Sequence, residues 1–329
     1  SSTTSAPTSR IEVRLLLITN DFPPKPGGIQ QYLGNLVEAY DDPLLVLAPS
    51  DPAASPEPNV ARSERSFMWP TSETLRWLIG HAASFQPDVV LLGAPHPLPM
   101  LGARVRAHLG VPFGVLCHGA EVTLPAAFPG TRQVLGRALR TADVRFAVSR
   151  YTAEKVERLA GRGVEWVGAG VDVETFRPAE VAPVNRPPIV GCVSRFVPRK
   201  GQHRLLEAAA RLRRPIEVLL VGKGRKEDDL RALAGRLGVA TRFAVDVPWS
   251  ELPGLYQGMD VFAMPCKSRW GGLEVEGLGL VFLEAAATGL PVLAGDSGGS
   301  PETVIAAETG FVVHDVGDIV EGLELLLGD

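Results

Sequence analysis

Short runs of branched and apolar residues, each followed by a stretch of helical periodicity, recur in two successive series along this 329-residue chain. That repetition limits the folds open to it. The first series contains "VRLLLITN" (13–20), "PLLVLAPS" (43–50), "PDVVLLGAP" (87–95), "PFGVLCHG" (112–119) and the opening of "VRFAVSRYTAEKVERLA". Strands apolar on both faces need cover on both faces, which a parallel sheet between two layers of helices supplies. Helices are expected from about Ile29 to Tyr40, over "ETLRWLIGHAASF", and after Ser149, whose hydroxyl is placed to cap the one that follows. The second series runs "IVGCVSRF", "QHRLLEAAARLRR", "IEVLLVGKG", "EDDLRALAGRLG", "TRFAVDV", "DVFAMP" and "LPVLAG". Between the two lies "AEVAPVNRPP", proline-rich and without pattern. The expected fold class is therefore α/β: two Rossmann-like, doubly wound parallel-sheet domains facing each other across a cleft. Residues 1–10 read as a disordered polar tail, 11–180 as the first domain, 181–188 as the linker and 189–329 as the second domain.

A hydrophobic content of 45% is ample for two cores, and a formal net charge of −4 argues against broad nucleic-acid binding. It leaves room for a local cationic pocket. Cys117, Cys192 and Cys266 are sparse, odd in number and outside any metal-ligand spacing, so they read as small buried hydrophobes of a reducing compartment. No apolar run reaches the roughly 18 residues of a membrane span. The first residues lack the charged-then-apolar order of a secretion signal. These features suggest a cytoplasmic protein.

In doubly wound sheets ligands sit beyond the carboxyl ends of the strands, and the unusual segments fall there. After the first strand, Gly27 and Gly28 precede a helix whose start is open to an anion. In "SRFVPRKGQ", Arg195 and Lys200 stand five apart across a turn, a pair suited to a diphosphate, with Arg199 expected to face solvent. "EVEGLGLVFLEAAATGLPVLAG" (274–295) starts a helix with residues that cannot cap it, so the N–H groups from about Leu278 to Val281 need partners. A phosphate would satisfy them and would suit the helix dipole. Glu284 would then accept from ribose hydroxyls. Glu276, just before the helix, would face the group attached to the terminal phosphate.

At these residues the chain resembles the retaining glycosyltransferases of family 4, which have the GT-B fold and an E-x7-E signature, met here by "EGLGLVFLE" (276–284). "TNDFPPKPGGIQQYL", "HGAEV", "SRYTAEKV", "GVDVETFRP", "SRFVPRKGQ", "LLVGKGR", "DVFAMPC", "GGLEVEGLG" and "GDSGGSPETV" resemble, in the same order, segments of actinobacterial phosphatidylinositol mannoside mannosyltransferases of the PimB type. The resemblance implies that GDP-mannose is the donor and a glycolipid or other glycan the acceptor. It also implies front-face transfer with no metal or other cofactor required. It assigns Arg195 and Lys200 to the pyrophosphate, and Gly28 with the amides of Gly277, Leu278, Gly279, Leu280 and Val281 to phosphate or the transferred sugar. Glu276 goes to sugar hydroxyls, Glu284 to ribose, and His118 to the sugar; Asn20, Asp21 and Gln30 go to the acceptor. The nucleotide base is expected near Asp246 and Val247.

Several segments depart from that pattern. "HGAE" has Ala120 where those relatives carry a second histidine, "APHPLPMLG" (94–102) differs, and Trp270 stands where they have a small residue. Trp270 is expected to shield its loop rather than stack on a sugar, and Trp69 and Trp77 to pack in the core. The helix "SETLRWLIGHAASF" has one arginine and no lysine, which supports at most peripheral contact with the inner face of a plasma membrane. The relatives also continue for several tens of residues beyond "GLELLLGD". A UDP-sugar donor and a non-catalytic nucleotide-sugar-binding relative remain alternatives. A nicotinamide-dependent dehydrogenase is disfavoured, since no strand leads into a full GxGxxG.

Overall fold

The computed structural model describes residues 11–180 and 186–328, so the expected tail (1–10) and most of the expected linker (181–185) lie outside the described residues. The seven strands of the first series are β1 (Leu15–Ile18), β2 (Leu44–Ala48), β3 (Val60–Arg62), β4 (Val89–Leu92), β5 (Phe113–Cys117), β6 (Val144–Ala147) and β7 (Glu165–Trp166). They form one sheet in the order β3-β2-β1-β4-β5-β6-β7. The second series gives β8 (Ile189–Val193), β9 (Glu217–Val221), β10 (Thr241–Ala244), β11 (Val261–Met264), β12 (Val292–Gly295) and β13 (Gly310–Val313), ordered β10-β9-β8-β11-β12-β13. Pairing is parallel, with Leu15–Ile18 running beside both Leu44–Leu47 and Val89–Leu92, and Ile189–Val193 beside Glu217–Val221. This is the expected α/β class.

The continuous apolar runs do what parallel strands require. All of β1, β5, β8, β11 and β12 is buried. The core around the second sheet also takes Phe176, Phe196, Tyr256 and Phe282. The three cysteines are buried and form no disulfide among the described residues. Helices occupy Gly28–Glu38, Ser72–Phe85 and Arg150–Ala160, and the Ser149 hydroxyl accepts from Thr152 N–H as expected of a cap. The strands not anticipated, β3, β7 and β13, are short or lack a fully buried run. Trp69 was expected in the core but is exposed; its neighbour Met68 fills the buried position there, while Trp77 is half-buried.

The described residues fall into two compact units. One takes those of Ser1–Leu116 with Val134–Phe146; the other takes Cys117–Gln133 with those of Ala147–Asp329. The second unit therefore holds His118 and Ser149 together with β8 to β13. Among the described residues no helix is long and apolar enough to cross a membrane.

Candidate functional site

The order of the second sheet places β8 between β9 and β11, and the chain winds outward in opposite directions from β8 and β11. Their two carboxyl-end loops therefore diverge and leave a crevice, the place where such sheets hold ligands. The loop after β8 carries Arg195, Arg199 and Lys200; the loop after β11 carries Glu274, Glu276 and Gly277.

Ion pairs join these loops. The Lys200 Nζ donates to Glu276 Oε2 at 2.7 Å, and Arg199 Nη1 donates to the same oxygen. Arg199 Nε lies 3.7 Å from Glu274, which Arg269 also approaches at 3.3 Å. Arg199 thus does not face solvent as expected. The tight turn Pro198–Lys200 presents both consecutive cations to the second loop, and Glu276 takes both. Lys200 and Glu276 are each only 8% exposed. Burial would raise the Glu276 carboxyl, but Lys200 and then Arg199 overcome that and hold it at about 2. Arg195 is exposed and makes no ion pair among the described residues. Arg199, Lys200 and Arg269 thus meet Glu274 and Glu276, three cations on two carboxylates, in a chain of net −4.

The backbone around Glu276 is fixed from two sides. Its N–H donates to Ser297 Oγ at 3.1 Å and its carbonyl accepts from Gly299 N–H at 3.0 Å. Gly277 lies against the end of β5: a Cβ there would stand 1.7 Å from the His118 carbonyl oxygen, so only glycine permits the approach. His118 is buried, and the Glu121 carboxylate accepts from the N–H groups of both His118 and Gly119, the latter at 2.8 Å. Thr123 Oγ1 donates to Leu273 O at 2.8 Å, tying the helix Ala120–Ala126 to the same loop. His118, Arg199, Lys200, Glu276 and Gly277 are thus brought together.

The helix Leu280–Ala287 follows, capped by Gly279 without a side-chain hydrogen bond. Its first return bond runs from Phe282 N–H to Gly279 O. No backbone carbonyl among the described residues takes up the N–H groups of Gly277, Leu278, Gly279, Leu280 or Val281. Five amides beside a cationic cluster suit a phosphate. Within this helix Glu284 turns inward, 5% exposed, and accepts from the Tyr256 hydroxyl at 2.8 Å. Burial pushes its carboxyl up to about 7 although that hydrogen bond lowers it. The two glutamates of one segment are thus driven in opposite directions by their surroundings.

Val247 is half-buried against the core, next to exposed Asp246, which pairs with Lys223. Trp270 is not a loop shield: it is 62% exposed, has φ of 52°, and its ring lies beside the Arg269 guanidinium. The reason is the turn at the tip of the Arg269–Glu274 bridge, which points the indole outward.

In the first unit, Asn20, Asp21 and Gln30 cluster after β1. The Asn20 amide donates to Met68 O at 3.1 Å and accepts from Met68 N–H at 2.8 Å. Gln30 Nε2 donates to Asp21 Oδ1 at 2.7 Å. Gly28 opens its helix at an exposed position. The sequence pattern does not single out Glu121, Ser297 or Tyr256, and it places Arg199 on the wrong side. For Glu121 a signal existed, a carboxylate in the first turn of a helix; Tyr256 had none.

Residues 26–175 match the family described as Glycosyltransferase Family 4, and residues 173–329 match the one described as Glycosyl transferases group 1. The chain is 38% identical to a GDP-mannose-dependent alpha-(1-6)-phosphatidylinositol monomannoside mannosyltransferase of Mycolicibacterium smegmatis, over 96% of this chain and 88% of that protein. It is 36% identical to a GDP-mannose-dependent monoacylated alpha-(1-6)-phosphatidylinositol monomannoside mannosyltransferase of Corynebacterium glutamicum, over 96% and 89%. Anabaena Alr3699/HepE, solved in complex with UDP and glucose, shares the fold with a TM-score of 0.77 at 21% identity, covering 97% of this chain and 90% of that one. Sucrose-phosphate synthase from Thermosynechococcus elongatus does so with the same TM-score and identity, over 96% and 90%.

Proposed function

We propose, from the premise that this chain belongs to the family 4 glycosyltransferases of the GT-B fold, that it moves mannose from GDP-mannose to a hydroxyl of a glycolipid, with retention of anomeric configuration. The donor follows the names of relatives that match nearly the whole chain. The observation that carries the reading is the Arg199–Glu276–Lys200 cluster, with exposed Arg195 on the same loop as its cations and the five amides of Gly277–Val281 following its carboxylate.

The chemistry distributes as follows. Arg195, Lys200 and the amides hold the diphosphate and neutralise the charge that grows on it as its bond to the anomeric carbon breaks. The acceptor oxygen bonds that carbon from the same face, and its proton passes to the departing phosphate oxygen. Glu276, kept ionised at neutral pH by Lys200 and Arg199, accepts from sugar hydroxyls and balances positive charge at the anomeric centre. His118 faces the sugar, Val247 the base, Glu284 the ribose, and Gly28 the phosphate. Asn20, Asp21 and Gln30 serve the acceptor. Acceptor contacts come from within residues 11–180 and donor contacts mainly from within 189–329. The protein meets its acceptor by peripheral contact at the inner face of the plasma membrane.

The test pairs calorimetric titration of GDP, UDP and ADP with transfer assays. GDP-mannose, UDP-glucose and ADP-glucose are each offered phosphatidylinositol, its mannosides and soluble mannosides. Tightest binding of GDP and transfer to a lipid-linked acceptor are expected. Tightest binding of UDP, or turnover of UDP-glucose alone, would replace the donor; nucleotide binding without transfer or donor hydrolysis would make the chain a binding protein.

A further inference from the structure

We propose that Tyr256 is a positioning residue for nucleotide recognition: its buried hydroxyl holds one oxygen of the Glu284 carboxylate and leaves the other to accept from a ribose diol. The inference rests on the reading that Glu284 meets the ribose, and adds the group that aims it. Tyr256 lies on the helix Leu252–Gln257, far from the E-x7-E segment in sequence, and is 0% exposed. Its ring is packed edge-on against Phe176 and tilted against Phe262, each with centroids 5.7 Å away, which fixes where the hydroxyl oxygen sits. From there the hydroxyl donates to Glu284 Oε2 at 2.8 Å; the Val281 carbonyl, at 3.4 Å, is the poorer acceptor.

Glu284 Oε1 has no hydrogen-bond partner among the described residues, although the side chain is almost wholly buried. That oxygen is not among the fully buried unpartnered atoms, so a ligand can reach it, and a diol supplies two donors. The hydrogen bond to Oε2 has a second effect. A phenol that donates to a carboxylate favours its ionised form, and this one acts against burial, which otherwise pushes the carboxyl up. Among the described residues Tyr256 is the one titratable group that acts on Glu284. Behind Tyr256 lies Cys192 of β8, pushed up to about 11 by burial and so neutral at working pH. Protonated, Glu284 would offer an O–H where the ribose needs an acceptor. Tyr256 thus orients the carboxylate and extends the pH range over which it is ready.

The experiment compares GDP with 2′,3′-dideoxy-GDP by calorimetry, for the wild type and Tyr256→Phe, between pH 6 and pH 9. The wild type is expected to prefer GDP at least tenfold. Tyr256→Phe, which keeps the ring and its packing, is expected to lose most of that preference, and its GDP binding to fall off at higher pH than in the wild type. If the variant weakens both nucleotides equally, or keeps both the preference and the pH midpoint, Tyr256 is structural and the proposal fails. A wild type without any preference would remove the ribose reading of Glu284 itself, a different failure visible before any variant is made. Should Tyr256→Phe not fold, Tyr256→Met, also without a donor, carries the same two readouts.

Discussion

Replacing Glu284 by glutamine should make the ligand-free protein more stable at pH 8 while weakening nucleotide binding. Folding raises this carboxyl from 4.5 to about 7. The protonated form is thus favoured in the folded state, and the associated stability is complete below pH 4.5. It is lost as pH rises and is gone above 7, where the folded protein carries an ionised carboxylate that burial disfavours. A shift of that size corresponds to roughly 3 kcal/mol at 1.36 kcal/mol per unit. Glutamine has no charge to bury and keeps an oxygen for the Tyr256 hydroxyl. The stability difference between variant and wild type should therefore widen by about 3 kcal/mol between pH 4 and pH 8, a rise in melting temperature on the order of 5 to 10 °C at the alkaline end. Glu276 titrates with the opposite sign: held at about 2, it contributes stability above pH 4.5 that is lost as pH falls. It is common to both proteins and cancels in the comparison. Thermal unfolding of the two proteins across pH 4 to 8, without nucleotide, measures the effect. A difference independent of pH would refute the account of Glu284, whatever happened to binding.

Two further predictions concern the crevice between β8 and β11. Lys200→Ala should lower turnover by at least about a hundredfold, a loss of roughly 2.7 kcal/mol of transition-state stabilisation, measured on folded variant with saturating donor; a rate near that of the wild type would contradict its assignment. Gly277→Ala would force a methyl to within 1.7 Å of the His118 carbonyl oxygen, so one loop must shift. It should cost on the order of 2 kcal/mol or more in stability and reduce turnover, read by melting and by initial rate; an unchanged protein would mean that the loops do not touch.

That Lys200 and Glu276 gather beyond the ends of β8 and β11 is legible in the sequence, because a parallel sheet brings together the loops that follow neighbouring strands. Arg195, Lys200, Glu276 and Glu284 all stand just beyond apolar runs or within a helix whose start has no side-chain cap. The helix cap at Ser149 was legible for a similar reason: it depends on a hydroxyl and an amide three residues apart. Arg199 was misread. Which of two neighbouring cations turns inward is set by the loop 77 residues away that presents Glu276, and nothing local encodes it. Trp270 was misread too, since its outward direction follows from backbone dihedral angles at a turn. Tyr256 was invisible, being one aromatic residue in a helix of six.

Patterning along the chain therefore determined the continuously apolar strands, their burial, their parallel pairing and the segments that lie at their ends, all consequences of short-range periodicity and of the need to bury apolar faces, while β3, β7 and β13 escaped it. Tertiary structure decided how charge is distributed among the groups so placed. Glu276 and Glu284 are the same residue type eight positions apart, yet one is held at about 2 and the other at about 7. Ionisation answers to desolvation and to charges or donors within a few ångströms, and those neighbours come from distant parts of the chain.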